Sequence, residues 1–241
     1  MAGASMVARA KEYLGIGLYT PEEAAFYARV STRTMNRWIY GNKQGERVIK
    51  PQKSSDQDRV VTFLDFVQTL AIRDIRTKHK VPLPKIRDAV DFARTKGIEY
   101  PFAVQHTTYL FSDAEDKGHG EVVINIDHQL LQASGHSRGN FVMKEVAELY
   151  MRDLYFNPDT GLAEQFVAWG GRESEYRIVM NPHIRFGEPV VHPTGYTAQS
   201  LWEAYEIEGG IIAASKAFAV DVRAIELALD YYDHLLNSNA A

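Results

Sequence analysis

Residues 19–41 have the sequence YTPEEAAFYARVSTRTMNRWIYG, which contains two consecutive helix signals. The first begins at Thr20, whose side chain can cap a helix, and continues with Pro21 at the position where a helix tolerates proline best. Glu23 completes a capping box and places negative charge at the positive end of the helix dipole. We therefore predict a helix from Pro21 to about Ala28.

A second helix is predicted over residues 32–40, because Ser31 can cap its start and Gly41 can end it. Its apolar residues form a stripe that we expect to face a core: Met35, Trp38 and Ile39. Spacings of three and four residues place other long side chains together on the opposite face: Arg33, Asn36, Arg37 and Tyr40. Two short helices joined by about three residues are typical of a helix-turn-helix.

The polar face of the second predicted helix carries side chains that suit DNA. Arginine and asparagine form bidentate hydrogen bonds with guanine and adenine edges, and threonines near a helix N-terminus suit phosphate oxygens. A solvated polar face on a structural helix pair is the alternative interpretation. The candidate DNA-contacting residues in and beside this helix are Arg29, Thr32, Arg33, Thr34, Asn36, Arg37 and Tyr40.

Residues 42–53 add positive charge directly after this helix. Turn-forming residues precede a short β-rich run, which predicts a wing, a small hairpin whose cations contact phosphates. A flexible basic loop is the alternative and would serve the same electrostatics. The candidate DNA-contacting residues here are Lys43, Arg47, Lys50 and Lys53.

The net charge of the 241 residues is −4, which at face value argues against a nucleic-acid partner. The charge is unevenly divided, since residues 1–100 carry +7 and residues 101–241 carry −11. This asymmetry predicts a basic part that faces a polyanion and a separate acidic part. The chain has no cysteine, which excludes disulfides, thiolate metal sites and cysteine nucleophiles.

Two further helices are predicted, from a capping box at Thr62 to about Lys78 and from Pro84 to Gly97. Four motifs lie along the first hundred residues: Tyr19-Thr20-Pro21-Glu22-Glu23-Ala24-Ala25, Val30-Ser31-Thr32-Arg33-Thr34-Met35-Asn36-Arg37-Trp38, Phe63-Leu64-Asp65-Phe66 and Lys85-Ile86-Arg87. Over residues 16–100 this order resembles the winged DNA-binding domain of the MerR superfamily. MerR regulators continue into a long coiled-coil helix, whereas no sustained heptad pattern follows Gly97.

The sequence of residues 101–180 contains several short β-rich segments. It predicts a β-rich linking region with no catalytic or ligand-binding motif. Strands are predicted at 108–111, 121–126, 166–169 and 176–180. The first two strands flank a loop and predict a hairpin. Helical spacing predicts a helix over 141–153, and residues 157–161, with the sequence NPDTG, form a strong turn signal.

Residues 181–241 are predicted to form a helical domain after a short strand at 190–191. Helices are expected at 198–208, at 211–218 and, after a cap at Asp221, towards Leu236. The last helix has apolar residues three and four apart that predict a packing seam: Val222, Ile225, Leu229, Tyr232 and Leu236. Its acidic residues oppose phosphate, so we favour protein contact over DNA contact there: Glu226, Asp230 and Asp233.

Residues 181–191 have the sequence NPHIRFGEPVV and precede the helices predicted between Leu201 and Leu229. This arrangement resembles a short antitoxin domain of VapB-type antitoxins, long classified as a domain of unknown function. That family commonly has Gly-Thr-Arg shortly after Pro-Val. This chain has His192-Pro193-Thr194-Gly195 instead, so no role of that arginine is carried over.

The predicted fold is α+β and mainly helical, in three parts. These are a MerR-like winged helix-turn-helix over residues 1–100, a β-rich linking region over 101–180 and a C-terminal helical, helix-turn-helix-like domain over 181–241. A MerR-like N-terminal domain joined to this C-terminal domain resembles the longer actinobacterial VapB-type antitoxins. The resemblance implies an antitoxin that binds and neutralises a PIN-type ribonuclease and represses its own operon by binding operator DNA.

A homodimer is expected, because one short reading helix gives limited affinity and operators are usually near-palindromic. Two alternatives stay open: a stand-alone, ligand-sensing MerR-like transcription regulator whose middle region binds a small molecule, and a hydrolase assembled from His and Asp in the acidic half. Tight binding to a co-expressed PIN-type protein would favour the antitoxin over the regulator.

No enzyme signature is present, and we predict a protein that is not an enzyme and holds no cofactor or metal. None of the eight histidines pair at the i, i+4 spacing of a helical metal site, and Gly-x-Ser-x-Gly and phosphate-binding loops are missing. No segment reaches the roughly 18 apolar residues of a membrane span. The first residues lack the apolar core of a signal peptide, so we expect a cytoplasmic protein.

Overall fold

The computed structural model describes residues 15–41, 46–53, 59–105, 108–112, 120–126, 129–133, 147–148 and 151–238. Its contacts divide the chain into two compact units. The N-terminal unit is Thr20–Ala163, and the C-terminal unit is Glu164–Ala241 together with the residues up to Tyr19. The described residues contain seven α-helices and two antiparallel sheets, which confirms the predicted α+β class.

Four helices occupy the first part of the N-terminal unit, and each lies close to its predicted position. They are α1 (Pro21–Ala28), α2 (Thr32–Tyr40), α3 (Phe63–Thr77) and α4 (Leu83–Thr95). Twelve of the fifteen residues of α3 are buried, and α1 and α2 both pack against it. Helix α3 is therefore the centre of the core on which α1 and α2 pack.

Four short strands of the same unit form a sheet in the order β3-β2-β1-β4. They are β1 (Thr108–Ser112), β2 (Gly120–Ile126), β3 (Gln129–Gln132) and β4 (Ala147–Glu148). Antiparallel pairing of β1 with β2 confirms the predicted hairpin. Val122, Val123 and Ile124 are all buried, so both faces of β2 are covered, and α4 packs against this strand.

The prediction of a helix over 141–153 is wrong for those of its residues that the structure describes. Ala147–Glu148 pairs with β1 as an edge strand, and Met151–Asp153 is one turn of 3₁₀ helix. Residues 141–146 and 149–150 lie outside the described ranges. Backbone hydrogen bonds to a neighbouring strand outweigh the helical spacing of apolar residues here, because such spacing is only a local preference.

The N-terminal unit ends with strand β5 (Leu154–Phe156) and the predicted turn at 157–161. The Asn157 Oδ1 accepts hydrogen bonds from the backbone N–H groups of Asp159 and Thr160, both at 3.0 Å. An asparagine that bonds to the backbone ahead of it mimics a backbone turn, so this sequence specifies its own conformation.

The C-terminal unit begins with an antiparallel meander of strands followed by three helices. The strands are β6 (Ala163–Trp169), β7 (Arg177–Met180), β8 (Val190–His192) and β9 (Tyr196–Thr197). The helices are α5 (Ala198–Glu208), α6 (Ile211–Phe218) and α7 (Val222–Ser238), as predicted. Asp221 Oδ1 accepts from the Arg223 N–H at 2.9 Å, which confirms the predicted cap.

Burial along α7 does not follow the predicted seam in full. Ile225 and Tyr232 are buried, but Leu236 is 50% exposed. Helix α7 packs against α5 and α6 and also against strands β7 and β8, so it needs a wider stripe than a two-helix seam. The buried residues are Ala224, Ile225, Ala228, Tyr231, Tyr232 and Leu235.

The turn before β8 is held by the residues that precede α1. The Leu18 N–H donates to the Phe186 carbonyl at 2.9 Å, and the Tyr19 hydroxyl donates to the Gly187 carbonyl at 2.7 Å. Arg185, Phe186 and Gly187 have φ angles of 48°, 55° and 96°. Consecutive non-glycine residues in the left-handed region are strained, so surrounding contacts must maintain this turn.

We expect Gly187→Ala to destabilise the protein more than Gly195→Ala. Both glycines have positive φ, 96° and 77°, and alanine costs about 1–2 kcal/mol in that region. A Cβ at position 187 would overlap the Tyr19 hydroxyl, whereas one at position 195 meets no atom within 4 Å. The overlap adds about 1–3 kcal/mol to the loss in Gly187→Ala. Urea denaturation measures both losses, and equal values would contradict this account.

Candidate nucleic-acid interface

Helices α1 and α2 are joined by a three-residue turn that is fixed at both ends. Arg29 adopts a left-handed conformation, with φ 53° and ψ 49°, and its N–H bonds back to carbonyls of α1. The Ser31 Oγ accepts from the Thr34 N–H at 3.1 Å and caps α2 as predicted. The predicted capping box of α1, between Thr20 and Glu23, is also present. Local hydrogen bonds thus define the two helices and the turn between them.

Helix α2 has the two faces that its sequence predicts. Its apolar stripe is buried: Met35, Trp38 and Ile39. Arg33 and Arg37 are exposed on the other side, one helical turn apart. In the part of the chain that the structure describes, neither guanidinium forms a hydrogen bond or an ion pair. These two side chains are therefore available for a ligand.

Asn36 and Tyr40 lie on the same helix but make contacts within the protein. The Asn36 amide donates to the Thr32 carbonyl at 3.0 Å and accepts from Arg59 Nη1 at 3.4 Å. The Tyr40 hydroxyl donates to the Val60 carbonyl at 2.8 Å. Burial, with a smaller effect of the nearby Asp65 carboxylate, raises the pKa of Tyr40 to about 12. The structure thus gives both side chains an internal bonding role.

Arg59 was not predicted from the sequence, yet it lies beside the polar face of α2. Its guanidinium is 5.1 Å from the centre of the Tyr40 ring, within the range of a cation–π contact. The side chain is exposed and also bonds to Asn36. An arginine shortly before the Thr62 cap was the available signal, but its proximity to α2 depends on the path of the intervening chain.

The remaining predicted DNA-contacting residues of this helix pair lie at the turn between α1 and α2. Thr32 is half-buried at the first position of α2, and the Thr34 hydroxyl accepts a hydrogen bond from Ser31 at 2.9 Å. Arg29 is half-buried within the turn itself. The first N–H groups of a helix lack intrahelical partners, so the start of α2 presents donors to an anion.

The predicted wing is not confirmed as a hairpin, because residues 46–53 contain no strand. The N–H groups of Val48 and Ile49 both donate to the Trp38 carbonyl, at 2.8 and 3.2 Å, and both side chains are buried. This loop is therefore anchored to the end of α2. Arg47 and Lys50 are exposed, Lys53 is half-buried, and Lys43 lies outside the described residues.

The buried carboxylate of Asp65 connects this loop to helix α3. Its oxygens accept from the Gln52 N–H at 3.1 and 3.2 Å and from the Thr62 N–H and hydroxyl at 3.4 and 3.0 Å. Burial raises the pKa of Asp65 to about 6, although these donors favour the ionised form. The basic loop and the start of α3 thus share one acceptor.

A second polar contact joins α1 to α3. Arg73 Nη1 donates to the Ala28 carbonyl, the last residue of α1, at 2.9 Å. Asp74 accepts from Arg73 and from Lys78, each at 2.7 Å. Burial opposes ionisation of Asp74, but these two cations outweigh it and hold its pKa below the ordinary value. The C-terminal end of α1 is therefore fixed on the central helix.

Comparison with known proteins supports the fold and no more. No protein-family model matches the chain, and no curated protein matches it in sequence. The chain resembles the crystal structure of Rv2018 from Mycobacterium tuberculosis, with a TM-score of 0.59 and 18% identity. The match covers 88% of this chain and 97% of that one. At this identity the likeness concerns the architecture alone.

Two further features are absent from the described residues. Within those ranges, no three His, Asp or Glu side chains are grouped so that they could hold a metal ion. None of the helices described there is both long and apolar enough to cross a membrane.

The raised pKa of Asp65 predicts how stability depends on pH. A carboxyl group with a pKa of about 6 in the folded protein and about 4 in the unfolded chain stabilises the fold below pH 4. That contribution, about 3 kcal/mol, is lost as the pH rises through 6. Asp65→Asn cannot ionise, so it does not lose this contribution. Between pH 4 and 7 the free energy of unfolding of Asp65→Asn should therefore rise relative to that of the wild type by about that amount.

Urea denaturation of both proteins across this pH range measures the difference. Asp91→Asn, in which an exposed carboxylate on α4 is replaced, is the matched control for removing one negative charge. A difference between wild type and Asp65→Asn that stays constant with pH would contradict the assignment.

Proposed function

We propose that this protein is an antitoxin of a type II toxin–antitoxin system, which represses its own operon by binding operator DNA and neutralises a PIN-type ribonuclease. One observation carries the DNA-binding half. Arg33 and Arg37 project from the exposed face of a capped second helix, without hydrogen-bond partners in the described part of the chain. A helix that presents arginines in this way suits the major groove.

The surrounding charges favour the same partner. Arg47 and Lys50 are exposed on the loop anchored to α2, and Arg59 lies beside its polar face. Cations around a reading helix contact phosphates and supply affinity that does not depend on sequence. In this proposal Arg33 and Arg37 read bases, whereas Arg47, Lys50 and Arg59 position the helix on the backbone.

The contacts of Asn36 and Tyr40 refine their roles. Asn36 uses its amide N–H on the Thr32 carbonyl and its oxygen on Arg59, so a bidentate contact with adenine would require it to exchange both bonds. Tyr40 uses its hydroxyl on the Val60 carbonyl. We assign both residues to positioning. Asn36 positions the Arg59 side chain, and Tyr40 positions the backbone that leads into α3.

The toxin-binding half is supported by the sequence resemblance of residues 181–191 and by charge. Residues 198–238, which form the three C-terminal helices, contain seven Asp or Glu and two Lys or Arg. An acidic surface repels DNA and favours a basic protein surface. A ribonuclease has basic residues where it binds RNA, so we assign the C-terminal unit to that partner. A homodimer would place two α2 helices on the two half-sites of an operator.

A ligand-sensing transcription regulator is the second candidate, because the C-terminal unit contains a cavity. Its volume is about 300 Å³, at the lower end of the range for small-molecule sites. It is lined by Gly15, Pro182, His183, Arg185 and Phe186. A regulator of this kind would bind DNA through the same helix but would need no ribonuclease partner.

We expect Arg37→Ala to lower affinity for the operator by about 1–3 kcal/mol and to relax its sequence specificity. Arg94→Ala, which removes an exposed arginine from α4, is the matched control and should bind as the wild type does. Fluorescence anisotropy with a fragment of the protein's own promoter and with a scrambled fragment measures both effects. Unchanged operator affinity in Arg37→Ala would contradict α2 as the reading helix, and no binding by the wild type at low salt would contradict the repressor function.

Co-expression tests the antitoxin half. We expect the wild type to form a stable complex with a PIN-type protein encoded in a neighbouring reading frame and to inhibit its cleavage of RNA. The complex is detected by co-purification and light scattering, and the inhibition by a cleavage assay with the purified proteins. A wild type that binds its promoter but forms no such complex would favour the ligand-sensing regulator.

A further inference from the structure

Helix α6 is unusually apolar for a helix with so little burial. Six of its eight residues are apolar, yet only Ala214 among the eight is buried. Ile212 is 60% exposed, and Phe218 is half-buried, with its ring 5.1 Å from the exposed ring of Tyr196. Helix α6 contacts α5 and α7 through a narrow face and leaves apolar side chains exposed.

A second exposed isoleucine lies on the other side of the turn that leads into α6. Ile207, near the end of α5, is 78% exposed, more than any other large apolar residue in the part of the chain that the structure describes. Gly209 and Gly210 connect the two helices, with φ angles of 77° and 139°. The turn is closed by hydrogen bonds from both glycine N–H groups to the Tyr205 carbonyl. Ile207 and Ile212 therefore flank one short, well-defined turn.

The residues around Ile207 are acidic. Glu206 and Glu208 are its immediate neighbours, Glu203 lies one helical turn earlier, and all three are exposed. We call the five residues the α5–α6 patch: Glu203, Glu206, Ile207, Glu208 and Ile212. Large exposed apolar side chains bordered by charge are typical of a protein contact surface.

The negative charge of the α5–α6 patch indicates whether the patch binds a second copy of this chain or a different protein. A two-fold dimer places the same patch on both sides of the interface, which would bring Glu206 and Glu208 of the two copies towards each other. Like charges across an interface oppose association, and opposite charges favour it. The patch therefore suits a cationic surface with apolar side chains of its own.

We propose that the α5–α6 patch is the docking surface for the basic, RNA-binding face of the partner ribonuclease. This inference rests on the proposed antitoxin function and names the surface that performs it. The two isoleucines would pack against apolar side chains of the partner, and the glutamates would pair with cations that otherwise contact RNA phosphates. Neutralisation then follows from competition, since the ribonuclease uses one basic face for either the antitoxin or RNA.

Two double variants test the patch in the full-length protein, with purified PIN-type protein from the neighbouring reading frame as the probe. We expect Ile207→Ser with Ile212→Ser to weaken binding by about a hundredfold and to release RNA cleavage, since buried apolar anchors carry most interface energy. Glu206→Gln with Glu208→Gln should weaken binding about tenfold and reduce its salt dependence. Ile98→Ser, at a half-buried isoleucine of the N-terminal unit, is the control and should bind as the wild type does.

Calorimetry gives the affinities, and circular dichroism with operator binding establishes that each variant is folded. If the wild type forms no complex, the antitoxin function fails and this inference with it. If the wild type binds and both double variants bind equally well, only the α5–α6 patch is overturned. If light scattering of the protein alone shows a wild-type dimer and a monomeric Ile207→Ser, Ile212→Ser variant, a second copy occupies the patch and the proposal is also overturned.

Discussion

The buried carboxylate of Asp65 is the interaction on which the N-terminal unit depends. It caps α3 through Thr62 and holds the backbone of Gln52 in the basic loop. Helix α3 is the element on which α1 and α2 pack, and Arg73 ties the end of α1 to it. Helix α2, which carries Arg33 and Arg37, thus packs on a helix that is buried along most of its length and whose N-terminal cap, Thr62, bonds to Asp65. A charge held at this position is costly, which explains its raised pKa.

The side chains of helix α2 fall into two groups, those that are buried or bonded within the protein and those that are exposed without a partner in the described part of the chain. Its apolar side chains enter the core, and Asn36 and Tyr40 bond to nearby backbone or to Arg59. The exposed cations lie between a hydrogen-bonded turn at the start of α2 and a loop bonded to Trp38 near its end. The C-terminal unit has the opposite character, with an acidic helical end that leaves Ile207 and Ile212 in solvent. The exposed cations of α2 and its loop thus lie in one unit, and the acidic C-terminal helices lie in the other.

Local signals predicted much of this fold, and contacts distant in sequence account for what they missed. The caps at Thr20, Ser31 and Asp221 lie where expected, because a cap depends on three or four neighbouring residues. Strand β4 took the place of part of a predicted helix because its partner is a strand almost forty residues earlier. Arg59 was overlooked for the same reason, since its contact with Asn36 spans 23 residues.

By itself the sequence determined the division of charge along the chain. It also determined the approximate boundaries of the seven described α-helices and the two faces of α2, because these depend on residues within one or two turns of each other. Only the tertiary structure decided which polar residues of α2 are engaged, how the basic loop is anchored and which residues of α7 are buried. Those outcomes depend on neighbours brought together by packing: Val60 beside Tyr40, Trp38 beside Val48, and two helices and two strands around α7. The periodicity of apolar residues identifies which face of a helix is buried, but the number and arrangement of the elements packed against the helix determine how wide that face is.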